Sequence, residues 1–158
     1  MGKEIELIGY CGLYCGDCIR YRSKASDLAR ELLCELHHTE FDKYAAIKSS
    51  SATNQLDAVK TLEHYGECCE VLEAIVALQC NSPCRIGGGC PTFSCGILAC
   101  CQEKSFDGCW QCAKFEKCRR FENLRAIHGD SPRQNLRTIR KFGLDKWVEH
   151  RHKCYIWQ

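Results

Sequence analysis

The sequence predicts a mainly α-helical protein whose helices pack around an irregular, cysteine-rich metal-binding region of zinc-knuckle type, with few or no strands. Three observations predict it. Apolar residues recur at helical spacing on both sides of a stretch, Cys80 to Cys118, that has no periodicity of its own and is dominated by Cys, Gly and Pro. The chain of 158 residues carries sixteen cysteines, and Met1 to Gly9 lacks the apolar core of an export signal. In a reducing cytosol such cysteines are expected to be metal ligands, not disulfides. Finally, the hydrophobic content of 45% counts those cysteines. Without them the apolar supply is thin, so metal cross-links are expected to replace part of a core.

A single domain, 1–158, is expected, built of three segments: 1–79 with an N-terminal cysteine cluster and helices, 80–118 as the metal-binding region, and 119–158 as basic C-terminal helices. Within the first segment, Ile5, Leu7, Ile8 and Tyr10 suggest a short strand. Ala25, Leu28, Ala29, Leu32, Leu33 and Leu36 fall at i, i+3, i+4, i+7, i+8 and i+11 and predict a helix, which Ser23 can cap. Cys34 lies inside it, away from any second ligand, and reads as a small buried residue. A short helix is expected over 41–48. A linker, 49–54, comes next, with Thr53 or Asn54 as a cap. Two helical stretches follow, broken near Gly66, the first marked by Leu56, Val59 and Leu62 and the second by Cys68, Leu72, Ile75 and Val76. Of the adjacent Cys68 and Cys69, one is expected to pack and the other to face out. Across the boundary into the last segment, Phe115, Cys118, Phe121 and Leu124 share a helical face ending at Gly129. Ser131 with Pro132 opens another helix, ended by Gly143. A final helix is expected over 144–152, with Trp147 and Val148 inward.

The chemistry lies in the cysteine spacings. Cys11-x3-Cys15-x2-Cys18 places three thiols on tight turns, and Gly12 and Gly16 let the backbone fold back toward the sulfurs. Three thiolates call for a fourth ligand from elsewhere, so this triplet is expected to meet the central cysteines in space. Cys109-x2-Cys112 is a metal knuckle. With Cys95 and Cys100 it would make a four-thiolate structural zinc site. The same ligand type holds iron–sulfur clusters, so an iron–sulfur cofactor is the alternative to zinc. Radical-SAM enzymes use the C-x3-C-x2-C spacing, but Asp17 stands where they carry an aromatic residue, and this chain is too short and too helical for their fold. There is no H-E-x-x-H, phosphate-binding loop or dinucleotide fingerprint. No catalytic residue can be named from spacing. Gly87-Gly88-Gly89 after Arg85 reads as a flexible turn, or as an anion nest. His37, His38, His150 and His152 read as surface.

Charge adds a possible partner. Residues 117–153 hold eleven Lys and Arg against four Asp and Glu, while the whole chain has a net charge of only +2. Such a basic segment suits a solvated helix face, or a protein or nucleic-acid partner. No apolar run approaches the ~20 residues of a membrane span, so no membrane partner is expected.

The run Tyr10-Cys11-Gly12-Leu13-Tyr14-Cys15-Gly16-Asp17-Cys18 resembles the opening of a cysteine-rich prokaryotic family, domain-of-unknown-function family 3795. Cys84-Arg85-Ile86-Gly87-Gly88-Gly89, the Cys95-x-Ile97-x-x-Cys100 step, Gly108-Cys109-Trp110-Gln111-Cys112, Phe115, Cys118, His128-Gly129-Asp130 and Asn135-Leu136-Arg137 follow in the family's order. The resemblance implies a cytoplasmic protein whose metal-ligand cysteines are Cys11, Cys15, Cys18, Cys80, Cys84, Cys95, Cys100, Cys109, Cys112 and Cys118. It implies no activity. Cys34, Cys68, Cys69, Cys90, Cys101 and Cys154 fall outside its pattern, although Cys90 and Cys101 lie close enough to act as ligands. Gly96 and Leu98 stand where the family often carries charge. Ten ligands do not divide into two four-thiolate sites, so the grouping stays open. Two functions are compatible with all this: a zinc-stabilised adaptor or binding module, and an iron–sulfur or redox protein that works through Cys11, Cys15 and Cys18.

Overall fold

The structure is a computed structural model and describes residues 5–51, 57–89 and 95–158. It is mainly helical. Among the described residues there is no named strand, only two isolated β-bridges, Ile8 with Tyr14 and Tyr21 with Cys80. The chain forms two compact units: residues 22–79, and residues 1–21 together with 80–158.

Residues 22–79 form helices. α1 spans Lys24–His38, α2 Phe41–Ser50, α3 Asp57–Lys60 and α4 Tyr65–Ala77. Ser23 caps α1 as expected, its side chain accepting from the Ser26 N–H at 3.3 Å. Only small residues and one leucine bury on α1 and α2: Ser26, Ala29, Leu33 and Ala45. Small side chains let α1 approach α4, where the Ser26 hydroxyl donates to the Ile75 carbonyl at 2.9 Å. At the same end Gln79 Nε2 donates to Asp27 Oδ1 at 2.8 Å. Three expectations change here. Cys34 is exposed, because the face it occupies points to solvent. The helical break lies at the 3₁₀ turn Thr61–His64, and Gly66 sits inside α4. α2 runs on to Ser50, through the start of the expected linker. Thr53, Asn54 and Leu56 fall outside the described residues. Cys68 is exposed and Cys69 half-buried, the division expected of an adjacent pair on a helix.

The other unit is built of short turns around an aromatic core. α5 spans Gly96–Glu103, α6 Glu122–His128 and α7 Ser131–Phe142. Ile97, Cys101, Cys109, Phe115, Phe121 and Leu136 form one core cluster. Ile8, Ile139 and Trp147 form a second. α7 serves both, because Leu136 and Ile139 are one turn apart on its inner face. The indole of Trp147 is fully buried and meets Tyr14 edge to face, at 6.0 Å and 76°.

Five local expectations are corrected. Residues 5–10 make no strand: Ile8 pairs only with Tyr14, since the chain turns back at Gly9–Gly12. The cysteine-rich stretch contains a true helix, α5, whose inward Ile97 and Cys101 are four residues apart. Residues 115–121 are two 3₁₀ turns ahead of α6. Past Gly143 there is only the 3₁₀ turn Trp147–His150, and Arg151 is already extended. α7 starts at Ser131 with Asp130 as its N-cap, one residue earlier than Ser131 as cap would give.

Candidate metal centre

The thiols sit on 3₁₀ turns of nearly the same shape. In Cys15–Asp17 and in Cys109–Gln111 the N–H of the following cysteine closes on the carbonyl of the first, Cys18 on Cys15 and Cys112 on Cys109, each at 3.0 Å. The two closing residues share a backbone conformation: φ −82°, ψ 122° at Cys18 and φ −82°, ψ 119° at Cys112. Cys118 closes a third such turn on Phe115, with φ −75° and ψ 119°. A turn of this shape, C-x2-C, presents both its sulfurs to one side. Gly12 provides the sharper bend before the first turn, at φ +86°.

Apart from Cys34, Cys68, Cys69 and Cys154, the described thiols fall into two neighbourhoods. The first holds Cys11, Cys15 and Cys84, with Cys18, Cys80 and Cys95 close enough to act on them electrostatically. Burial pushes the Cys11 thiol up, and the potential thiolates of Cys84, Cys95 and Cys15 push it further. Burial likewise raises Cys15 to about 12, with Cys84, Cys18 and Cys80 adding to it. Backbone N–H groups work in the opposite sense. The backbone amides of Leu13, Cys84 and Tyr10 favour a thiolate at Cys11, Cys15 and Cys84 respectively. Cys80 is held differently, its thiol donating to the Ser82 carbonyl at 3.2 Å.

The second neighbourhood centres on Cys101 and Cys109, whose sulfurs are 3.7 Å apart. Cys100, Cys112 and Cys118 lie near them, and Cys11 and Cys95 stand between the two groups. Burial raises Cys109, and Cys101 adds to it. All fifteen described cysteines are free; Cys90 lies outside the described residues. Among those described, no three His, Cys, Asp or Glu side chains converge closely enough to hold an ion as they stand.

Sequence reasoning placed Cys101 outside the ligand pattern, yet it is 2% exposed and faces Cys109. Its spacing from Ile97, one helical turn, was the available signal. It also passed over Cys154, which is buried beside His128. The His128 Nδ1–H donates to the Cys154 carbonyl at 2.5 Å, and the Cys154 sulfur is 3.9 Å from the same nitrogen. Tyr155 stacks on His128 and sends its hydroxyl to the Cys18 sulfur at 3.3 Å.

Four arginines fix the turns. Arg140 donates to the carbonyls of Trp110 at 2.6 Å and Cys112 at 2.8 Å. Arg133 donates to the Cys118 carbonyl at 3.1 Å. Arg85 donates to the Ile8 and Asp107 carbonyls while its guanidinium lies between Tyr10 and Trp110, at 4.7 and 5.1 Å from the rings. Arg151 makes a fork onto both oxygens of Asp17, at 2.6 and 2.7 Å. Much of the basic C-terminal segment is thus occupied within the fold.

The family model described as Protein of unknown function (DUF3795) matches residues 7–123. The chain belongs to this family. Its match runs from the Cys11 turn through the Cys118 turn, so every candidate ligand lies inside it. No curated protein and no solved structure matches the chain. Among the described residues no helix is long and apolar enough to cross a membrane.

Proposed function

We propose that this DUF3795 protein is a thiolate metal-binding protein, with zinc at the Cys11, Cys15, Cys84 group and at the Cys101, Cys109 group. The observation that carries the reading is the gathering of free thiols, with Cys11, Cys15 and Cys84 grouped and the Cys101 and Cys109 sulfurs 3.7 Å apart, beside backbone amides that favour the thiolate at Cys11, Cys15 and Cys84. Buried neutral thiols have little use for such donors, whereas metal-bound thiolates are stabilised by them. The donor set fits a soft or borderline cation, and Cys18, Cys80, Cys95, Cys100, Cys112 and Cys118 complete the available ligands. Bound zinc would cross-link turns whose core is small, supplying on the order of 10 kcal/mol of folding free energy per site. Free thiols in this number suit a reducing, cytoplasmic setting. The role that follows is that of a metal-stabilised binding module.

The test is metal analysis by mass spectrometry, with a visible spectrum, on protein purified without oxygen. About two zinc per chain with no visible band is the expected result. Cys15→Ser and Cys84→Ser should each lose one equivalent, and Cys34→Ser none. Iron with matching sulfide and a broad band near ~400 nm would replace zinc by an iron–sulfur cluster.

A further inference from the structure

The second thiol group forms the floor of a recess of about 750 Å³, walled by residues between Ile97 and Phe121. That volume is within the ~300–1,000 Å³ usual for small-molecule pockets. Below lie Ile97, Phe115 and Cys101, all buried. Around the walls stand five cations, Lys104, Lys114, Lys117, Arg119 and Arg120. Among the described residues none of the five has an ion-pair partner, in contrast to Arg133, Arg137 and Arg151. The one acid among the described wall residues, Glu116, is already claimed by Arg137, which forks onto it at 2.8 and 2.6 Å.

We infer that this recess binds a small phosphate-bearing anion. Five like charges around one concavity repel one another unless something negative enters it. A metal on the thiols below does not remove the need, because a four-thiolate zinc carries a charge of about −2 and leaves a surplus of cations. Phosphate matches what remains: several charges on one group, with oxygens that accept from lysine and arginine together. Half-buried Phe106 on the wall offers an apolar surface for a ring attached to that phosphate. The inference does not depend on which metal the thiols take, since it rests on the cations alone.

Equilibrium dialysis of the full chain, with its metal content measured in parallel, tests it with labelled pyrophosphate and labelled ADP. Binding of either is expected, and tighter binding of ADP would assign the apolar wall to the ring. Lys114→Ala combined with Lys117→Ala should weaken binding at least about tenfold, as loss of two charge-assisted contacts requires. Lys141→Ala combined with Lys146→Ala removes the same charge outside the recess and should change it less than about twofold. The inference fails if neither ligand binds by about 1 mM, or if both variant pairs weaken binding equally. It also fails if a ten-base single strand binds more than about tenfold tighter than ADP, which would make the walls a nucleic-acid surface. Metal content is read independently, so loss of phosphate binding with metal retained separates this inference from the proposed function.

Discussion

Replacing Gly12 by alanine puts the fold of the first thiol turn to a quantitative test. The residue has φ +86°, where an L side chain is strained by about 1–2 kcal/mol. A Cβ there would also stand 3.0 Å from Cγ and Cδ2 of Leu136 and 3.0 Å from the Pro132 carbonyl. Neither neighbour can yield easily, because Leu136 is fully buried in the core and Pro132 belongs to the first turn of α7. Overpacking of this kind costs about 1–3 kcal/mol more. The expected sum is about 2–5 kcal/mol, or a fall in melting temperature on the order of 10–30 °C for a unit of this size. Differential scanning calorimetry reads it. Gly66→Ala is the matched control: it lies in α4, a Cβ there meets nothing within 4 Å, and alanine should stabilise by about 0.4–1 kcal/mol. If Gly12→Ala melts within about 2 °C of the parent, the turn does not sit against α7 as described.

Thiol alkylation read by mass spectrometry should label Cys34 and Cys68 first, since both are exposed, and Cys101, Cys109 and Cys154 last. His128 should make stability depend on pH. Burial holds its pKa below the usual 6.5, so the folded state favours the neutral ring. That contribution is complete above about 6.5 and is lost as pH falls through the lower folded value, so urea unfolding free energy should drop between about pH 7.5 and 5. His128→Gln should flatten the slope. Arg140→Lys should destabilise nearly as much as Arg140→Ala, by about 1 kcal/mol after allowing for its solvent exposure, and should speed alkylation of Cys112. Equal stability of the lysine variant and the parent in chemical denaturation would show that charge alone matters there.

The long apolar periodicities translated directly into structure. α1 stands where the residues at i, i+3 and i+4 put it, α2 and α7 stand over the stretches expected to be helical, and Trp147 is inside. The failures have a common cause. Between Cys80 and Gly129, and again after Gly143, turns are set by side-chain contacts distant in sequence, so no local period announces them. α5 is masked by ligand spacing, because Cys95 and Cys100 read as metal ligands while Cys101 is the inward residue one turn after Ile97. The knuckle spacings were legible as turns, and Cys15–Asp17 and Cys109–Gln111 have the backbone that C-x2-C needs. The partition of thiols was not legible, since it depends on Cys84 reaching Tyr10 and Cys15 across some seventy residues of chain.

The arginines explain how such short turns persist without a sheet. A three-residue 3₁₀ turn leaves most of its carbonyls without a backbone donor. Here the missing donors come from side chains on a different element, and each guanidinium works twice. Arg140 gives its edge to the carbonyls of Trp110 and Cys112 and its face to Phe115, 4.6 Å away. Arg133 does the same with the Cys118 carbonyl and Phe121, at 5.2 Å. Arg151 pairs with Asp17 and lies 4.9 Å from the Tyr14 ring. A planar fork can hold a carbonyl in its plane and a ring above it, which an ammonium cannot. The basic C-terminal segment, which from sequence alone suits an external partner, therefore supplies the donors for the thiol turns. Of the cations that have no ion-pair partner among the described residues, Lys104, Lys114, Lys117, Arg119 and Arg120 stand on the recess walls, which is where a negatively charged ligand would be met.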